Sequence, residues 1–257
     1  MKILISNDDG IEAPGIQALY NEFINSNDIN SNGINSVDIT LVAPDRNRSA
    51  TSAALTLDIP LRVNTRSPNQ YSVNGTPCDC VHLGTHRIMD APPEMVIAGI
   101  NRGANLGDDV LYSGTVAAAM EGRSLGYTSV AISLASHECK NYQAAAKVMV
   151  NIKDKIATHA LPKNIILNVN VPDLPFEEIK GLRITRLGSR HRKDTVVSTK
   201  DPRGNTIYWF GPPSEPEDTG EMTDFKAVEE GYVSVTPLTV DLTHFESLNS
   251  LNDWINK

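Results

Sequence analysis

Short apolar runs that end in polar, glycine-bearing loops recur along the chain, with amphipathic stretches between them. Ile3-Leu4-Ile5 runs directly into Asn7-Asp8-Asp9-Gly10, and Val37 to Val42 ends in Ala43-Pro44-Asp45. Met95 to Ile100 ends in a polar, glycine-rich stretch from Asn101 to Asp109. Ser129 to Leu134 and Ile165 to Val171 are two further runs. Continuous apolar runs of this length are the pattern of strands buried on both faces. Helical spacing fills the gaps. Ile16, Leu19, Tyr20 and Phe23 follow Pro14, and a helix is expected from Tyr142 to about Ile156. Thr76-Pro77 supplies an N-cap and a first-turn proline for a helix running to about Asp90. Ser113-Gly114-Thr115 opens another, whose Ala117, Ala118 and Ala119 suit close packing on a sheet.

This alternation predicts a three-layer α/β fold around a mostly parallel, doubly wound (Rossmann-like) sheet. Asn25 to Ser36, rich in Asn and Ser, reads as a surface loop. Residues 55 to 73 read as a small peripheral β-element outside the parallel core, broken by Pro60 and Pro68. After Leu187 the rhythm changes. Residues 188 to 221 are polar and rich in proline and glycine, and Thr206 to Phe210 looks like half of a hairpin. A polar excursion of that length is expected to serve as an arm packing on another subunit. Phe225 to Glu230 predicts a short helix, Tyr232 to Thr236 a strand, and His244 to Ile255 a C-terminal amphipathic helix. The expected division is a catalytic region over 1–180 and, in the same structural unit, an arm and C-terminal helix over 181–257.

Composition narrows the partners. Hydrophobic residues make up 40% and aromatics only 5%, which suits an aliphatic core. The net charge of −8 and the lack of a basic block argue against a nucleic-acid polymer as ligand. No apolar stretch suits a signal peptide or a membrane span, and the 3 cysteines do not form a disulfide framework, so a cytoplasmic setting is expected.

Three loops carry the candidate chemistry: Asn7 to Gly10, Asp45 to Ser49, and Asn101 to Asp109. C-terminal strand ends of a parallel sheet share one edge, the edge where such sheets bind ligands. The two adjacent acids repel each other and call for a proton or a cation. Carboxylates, a hydroxyl and amide oxygens are hard ligands suited to Mg²⁺, Mn²⁺ or Ca²⁺. Arg46 and Arg48 add forked donors for phosphate oxygens. The helix start at Ser113, Gly114 and Thr115 adds N–H groups and hydroxyls for an anion. Together these predict a metal-dependent phosphate site. A rival cluster, Cys78, Cys80, His82 and His86, has the wrong spacing for zinc, since only His82 and His86 share a helix face.

In order along the chain stand Ile5-Ser6-Asn7-Asp8-Asp9-Gly10, Ala43-Pro44-Asp45-Arg46-Asn47-Arg48-Ser49, Asn74-Gly75-Thr76-Pro77, Ala98-Gly99-Ile100-Asn101 and Tyr112-Ser113-Gly114-Thr115-Val116. This set resembles the SurE (survival protein E) family of 5′/3′-nucleotidases. The resemblance implies a phosphoric monoester hydrolase acting on nucleoside 5′- and 3′-monophosphates. It implies one divalent metal per subunit, Mg²⁺ or Mn²⁺, on Asp8, Asp9, Ser49 and Asn101. Asp8 and Asp9 would be the catalytic acids, and Asn105, Ser113, Gly114, Thr115 and Arg46 would bind substrate. It also implies a homodimer or homotetramer built through the hairpin arm and a swapped C-terminal segment. The long loop at 25–36, Ala50 and Ala117 depart from the family pattern without touching a ligand position.

Two alternatives remain at this point. A haloacid-dehalogenase-like phosphatase would use Asp8 as nucleophile, but expects acids two residues apart. A non-catalytic nucleotide-binding module would bind without phosphate release. The favoured nucleophile is a water, with Asp8 or Asp9 as its base.

Overall fold

The computed structural model describes residues 1–29, 37–162, 164–190, 196–211 and 215–256. Its centre is β1 (Lys2–Ser6), with β2 (Asp38–Pro44) paired parallel on one side and β5 (Met95–Arg102) paired parallel on the other. From β5 the sheet continues in parallel through β6 (Thr128–Ala135) to β7 (Ile165–Pro172). Beyond β7 lie β11 (Val233–Thr239), antiparallel to it, and the short β8 (Leu182–Ile184), parallel to β11.

Side-chain alternation sorts the core into two layers. Ile3, Ile5, Leu41, Ile97, Ile132 and Val169 point to one face, where α1 (Pro14–Ile29) packs Ile16, Leu19 and Phe23 beside Met149 and Ile152 of α4 (Tyr142–Thr158). Leu4, Val42, Val96, Ala98 and Ala131 point to the other. There α2 (Pro77–Leu83) contributes Cys80 and Val81, and α3 (Gly114–Ser124) contributes Val116, Ala118 and Ala119. The doubly wound, mostly parallel sheet follows from these period-2 runs, each apolar on both faces. The chain leaves β1 towards β2, then returns past β1 to β5. The C-terminal end of β1 is therefore the switch point where such sheets open a crevice.

Four expectations need correction. Asn25 to Ile29 continue α1 rather than opening the loop, and the rest of that loop lies outside the described residues. The element at 55–73 is not separate from the sheet. β4 (Gln70–Val73) pairs parallel with β2, and β3 (Val63–Ser67) pairs antiparallel with β4, giving a nine-stranded sheet. Leu55 to Leu57 form no strand. The helix after Thr76 has its capping box with Asp79, but its α-helical part stops at Leu83 and a π-turn carries the chain from Gly84 to Ile88.

Past residue 187, β9 (Val196–Lys200) and β10 (Thr206–Phe210) form an antiparallel hairpin, and α5 (Asp224–Glu229) precedes β11. Residues 191–195 and 212–214 of the expected arm lie outside the described residues. Tyr208, Trp209 and Phe210 on β10 are exposed. So are Leu248, Leu251, Trp254 and Ile255 of α6 (Leu248–Ile255). Among the described residues no helix is long and apolar enough to cross a membrane.

Candidate active site

The loop after β1 is shaped by its own asparagine. Asn7 Nδ2 donates to Gly10 O at 2.9 Å, and Gly10 N donates back to Asn7 Oδ1 at 3.1 Å. The loop after β2 is fastened to it, with Arg48 N donating to Asp8 O at 2.7 Å and Ile11 N to Pro44 O at 2.9 Å. The β5 loop arrives from the other side, where Arg102 N donates to Asp9 Oδ2 at 2.9 Å. The three loops thus meet at one edge, around Asp8 and Asp9.

Asp8 is 4% exposed and lies at the start of α3. Thr115 Oγ1 donates to its Oδ1, and the Thr115 backbone also favours its charged form. Gly114 permits this approach. A Cβ there would lie 2.8 Å from Asp8 Cβ and 2.9 Å from Oδ2, so any side chain would push the helix off the acid. Burial pushes the Asp8 carboxyl up to about 6; the Thr115 hydrogen bond opposes this and the charge of Asp9 adds to it. Asp9 is also raised, by burial, against the pull of the Arg102 N–H and guanidinium. These two acids are held together where neither is comfortable as an anion, and a cation between them relieves both.

Asn101 reaches the same edge through an irregularity in β5. Ala98 pairs with Ala131 and Asn101 with Ser133, so Gly99 and Ile100 together face Ile132. The extra residue is a bulge that re-aims the strand end. Gly99 makes it possible, with φ at +138° and only 2.2 Å between a would-be Cβ and Ile132 O. Asn101 donates its Nδ2 to Gly103 O at 2.9 Å, and its Oδ1 has no hydrogen-bond partner among the described residues. Ser49 is exposed, and its Oγ donates to Asn47 Oδ1 at 2.6 Å. Asn47 in turn reaches Asp9 Oδ1 through Nδ2 at a long 3.5 Å. The donor set fits a hard divalent ion: two carboxylates, with a hydroxyl and an amide oxygen on the adjoining loops. Among the described residues no group of three His, Cys, Asp or Glu gathers to hold a metal. Any ion here leans on neutral oxygens beyond the two acids.

The other residues expected at the site have definite places. Ser113 caps α3, its Oγ accepting from Val116 N at 3.1 Å, and Ala117 N donates to Ser113 O. Gly114 is the first residue of the helix, where backbone N–H groups have no partner within the helix. Arg46 is exposed on the rim, its backbone beside Gly10, while Arg48 donates to Asn74 O at 2.9 Å and supports the loop. Asn105 is buried among asparagines. Its N donates to Asn170 Oδ1 at 2.8 Å and its Nδ2 to Ser133 Oγ at 2.8 Å. Its carbonyl accepts from Asn168 Nδ2 at 2.8 Å and Asn170 Nδ2 at 3.0 Å. Asn105 anchors the β5 loop rather than facing open solvent.

Outside the site, His82 and His86 stack with ring centroids 4.5 Å apart, and His82 Nδ1 lies 2.9 Å from Glu121 Oε1. Burial pushes the Cys78 thiol up to about 12 and raises Cys80 well above its usual value. Both thiols therefore stay protonated.

Four contributors carried no role in the sequence reading: Asn47, Arg102, Asn168 and Asn170. The asparagines of β7 left a signal, since two amides at i and i+2 in an otherwise apolar run mark a polar stripe on one face. Asn47 sits two residues before Ser49, the spacing of an Asx turn. Arg102 acts through its backbone N–H, which no residue type reveals.

A doubly wound α/β protein with a buried and a half-buried acid side by side at its switch point, and a helix N-terminus beside them, belongs among enzymes and binders of small anions. The chain belongs to the survival protein SurE family, whose model matches residues 3–194. It is 50% identical over 257 residues to "5′-nucleotidase SurE" of Pseudoalteromonas atlantica, covering 100% of both chains. It is 51% identical over 262 residues to "5′-nucleotidase SurE" of Aeromonas hydrophila, covering 100% of this chain and 99% of the relative. The crystal structure of the SurE protein from Aquifex aeolicus superposes over 100% of both chains, with a TM-score of 0.85 and 42% identity.

Proposed function

We propose that this chain is a metal-dependent nucleotidase that hydrolyses nucleoside 5′-monophosphates, and 3′-monophosphates as well, to nucleoside and phosphate. The observation that carries the reading is the placement of Thr115 and Gly114 on Asp8, which puts a helix N-terminus and the adjacent acids Asp8 and Asp9 at one point. Full-length relatives named 5′-nucleotidase support the substrate class.

Asp8, Asp9, Ser49 and Asn101 would hold the ion, Mg²⁺ or Mn²⁺. When bound, a divalent cation neutralises phosphate charge and polarises the phosphorus–oxygen bond. The protein's own groups do the rest. The N-terminal end of α3, beginning at Gly114, would stabilise the negative charge of a phosphate bound beside Asp8. Arg46, exposed on the rim, would supply a forked donor to phosphate oxygens. Thr115 fixes Asp8 in one rotamer, so that its position does not have to be found during reaction. Asp9 keeps Oδ2 on Arg102 N and has Oδ1 free of short contacts, which makes it the carboxylate able to accept a proton from an attacking water. The Asn105 clamp holds the loop that follows directly on Asn101 and Arg102 at the end of β5.

The exposed apolar residues of the hairpin and α6 support assembly of copies of this chain into a dimer or tetramer. The nucleotidase reading is tested by phosphate release from a panel of nucleoside monophosphates, with EDTA and then Mg²⁺ or Mn²⁺ add-back. Release that persists in EDTA, or no release with any metal, overturns it.

A further inference from the structure

A cleft of about 310 Å³ opens from the acid pair away from α3. Asp9, Asn47 and Arg102 form its inner end, so it is continuous with the candidate site. Pro14 at the start of α1 and Tyr142 at the start of α4 form its outer wall. These helices cover the sheet face opposite the one packed by α3. A phosphate ester straddling Asp8 and Asp9 would therefore place its phosphate towards α3 and its organic group towards this cleft.

We propose that the cleft is the subsite for the nucleoside half of the substrate, with Tyr142 as the platform for the base and Arg102 as its polar contact. The proposal rests on the nucleotidase reading and adds where the nucleoside lies. The volume is at the small end of ligand pockets, about 300–1,000 Å³, and suits one small organic group rather than a chain of them. Its lining has the right chemistry for a flat, neutral heterocycle. Ala13 and Pro14 are apolar, Tyr142 is a half-buried aromatic ring, and Cys139 and the exposed Glu138, paired with Lys140, complete the wall. The ring is held in place. A Cβ on Gly15 would lie 3.0 Å from Tyr142 Cε1, so α1 backs directly onto it, and the Tyr142 hydroxyl meets the Cys139 thiol. A fixed ring loses little freedom when a base stacks on it.

Arg102 stands at the mouth. Its side chain is exposed, its Nη2 donates to His137 O at a long 3.4 Å, and its charge acts on Asp9 and Tyr142 across the cleft. No described carboxylate forms an ion pair with it. The guanidinium fork is thus available for ring nitrogens, exocyclic oxygens or sugar hydroxyls. Base–aromatic stacking is worth a large factor in affinity, and its loss should cost about tenfold or more.

The test compares kcat/KM for adenosine and guanosine 5′-monophosphates with kcat/KM for glycerol phosphate, which has no base. It uses the full chain with metal, as wild type, Tyr142→Ala, Tyr142→Phe and Arg102→Ala, with circular dichroism to confirm folding. Binding of adenosine alone is measured in parallel by calorimetry. The expected result is a preference for nucleotides that falls at least tenfold in Tyr142→Ala, through KM, and survives in Tyr142→Phe. Arg102→Ala, a change at an exposed side chain, should lower it several-fold, and adenosine binding should weaken in step. An unchanged preference and unchanged adenosine binding in both Tyr142→Ala and Arg102→Ala overturn the subsite and leave the nucleotidase reading standing. No phosphate release from any nucleotide by the wild type overturns both.

Discussion

Asn105 and Asn170, 65 residues apart in sequence, grip each other twice. The Asn105 N–H donates to the Asn170 side-chain oxygen at 2.8 Å, and the Asn170 amide donates back to the Asn105 carbonyl at 3.0 Å. Asn170 is 0% exposed and Asn105 6%. The pair staples the loop after β5 to the middle of β7, and it does so with side-chain groups standing in for a missing strand. Replacing Asn170 by Ala leaves a backbone N–H and part of the demand of a carbonyl unmet in the interior. Each such group costs about 1–3 kcal/mol, so unfolding in urea should show a loss of about 2–4 kcal/mol. Because this loop continues directly from Asn101 at the end of β5, activity should fall further than the unfolded fraction explains. A variant with wild-type stability would mean that water replaces the amide without cost.

Thr115 offers a cleaner separation of stability from chemistry. Thr115→Val keeps the shape and removes the hydroxyl that Asp8 accepts from. Asp8 then loses one of the contacts that hold its charged form and its rotamer. The expected outcome is a loss of at least tenfold in kcat with little change in KM, while Thr115→Ser retains most of the activity. Full activity in Thr115→Val, or a loss in Thr115→Ser as large as in Thr115→Val, would show that the hydroxyl contact to Asp8 is not what the reaction depends on.

The parallel core was legible because each strand is apolar on both faces and each loop after it is polar. The acid pair and its convergence with the loops of β2 and β5 followed from that topology alone. What escaped is instructive. The β3–β4 pair joins the sheet edge, yet Val63 to Ser67 is largely exposed and so carries no buried-strand pattern. The end of α1 was misread because Asn25 to Ile29 are helical despite loop-forming residue types, and propensity is a weak guide where the rest of the helix is well packed. The Ser113 cap is local, but the hydrogen bond from Thr115 to Asp8 spans 107 residues, which no local pattern encodes.

Asp173 lends the protein a pH-dependent clamp away from the active site. Its carboxylate accepts from Lys140 N at 3.1 and 3.0 Å, from Asn141 N at 2.8 Å and from Asn141 Nδ2 at 3.0 Å, at the start of α4. Partial burial raises its pKa, but those hydrogen bonds outweigh it and leave the group below 3.8. A depressed acid contributes stability that is present above its unfolded pKa and lost as pH falls through the folded value. Asp173→Asn should therefore lower the urea midpoint at pH 7 by the equivalent of about 0.5–1 kcal/mol, the figure discounted for solvent screening. The gap between the two proteins should close below pH 3.8. A gap that persists undiminished in acid would show that the charge is not what the helix start uses.

Metal binding can be read without any substrate. Asp8 and Asp9 are adjacent, both raised in pKa by burial, and bridged by few donors. A divalent ion that binds the folded chain alone stabilises it by RT ln(1 + [L]/Kd), about 2.7 kcal/mol at a hundredfold excess over Kd. For a chain of this size that is a rise of roughly 5–10 °C in Tm. Mn²⁺ or Mg²⁺ added to EDTA-treated protein should produce it in the wild type. Asp8→Asn and Asp9→Asn should remain folded in EDTA and lose most of the rise. They should also lose about 10³-fold or more in phosphate release, since the charge they contribute acts on the transition state. The Ser49→Ala and Asn101→Ala variants sharpen the assignment. Each removes one neutral oxygen beside the pair, so each should weaken the metal-dependent shift by less than loss of an acid. A full thermal shift in Asp9→Asn would place the ion elsewhere, and a full shift in Asn101→Ala would remove the β5 loop from its coordination.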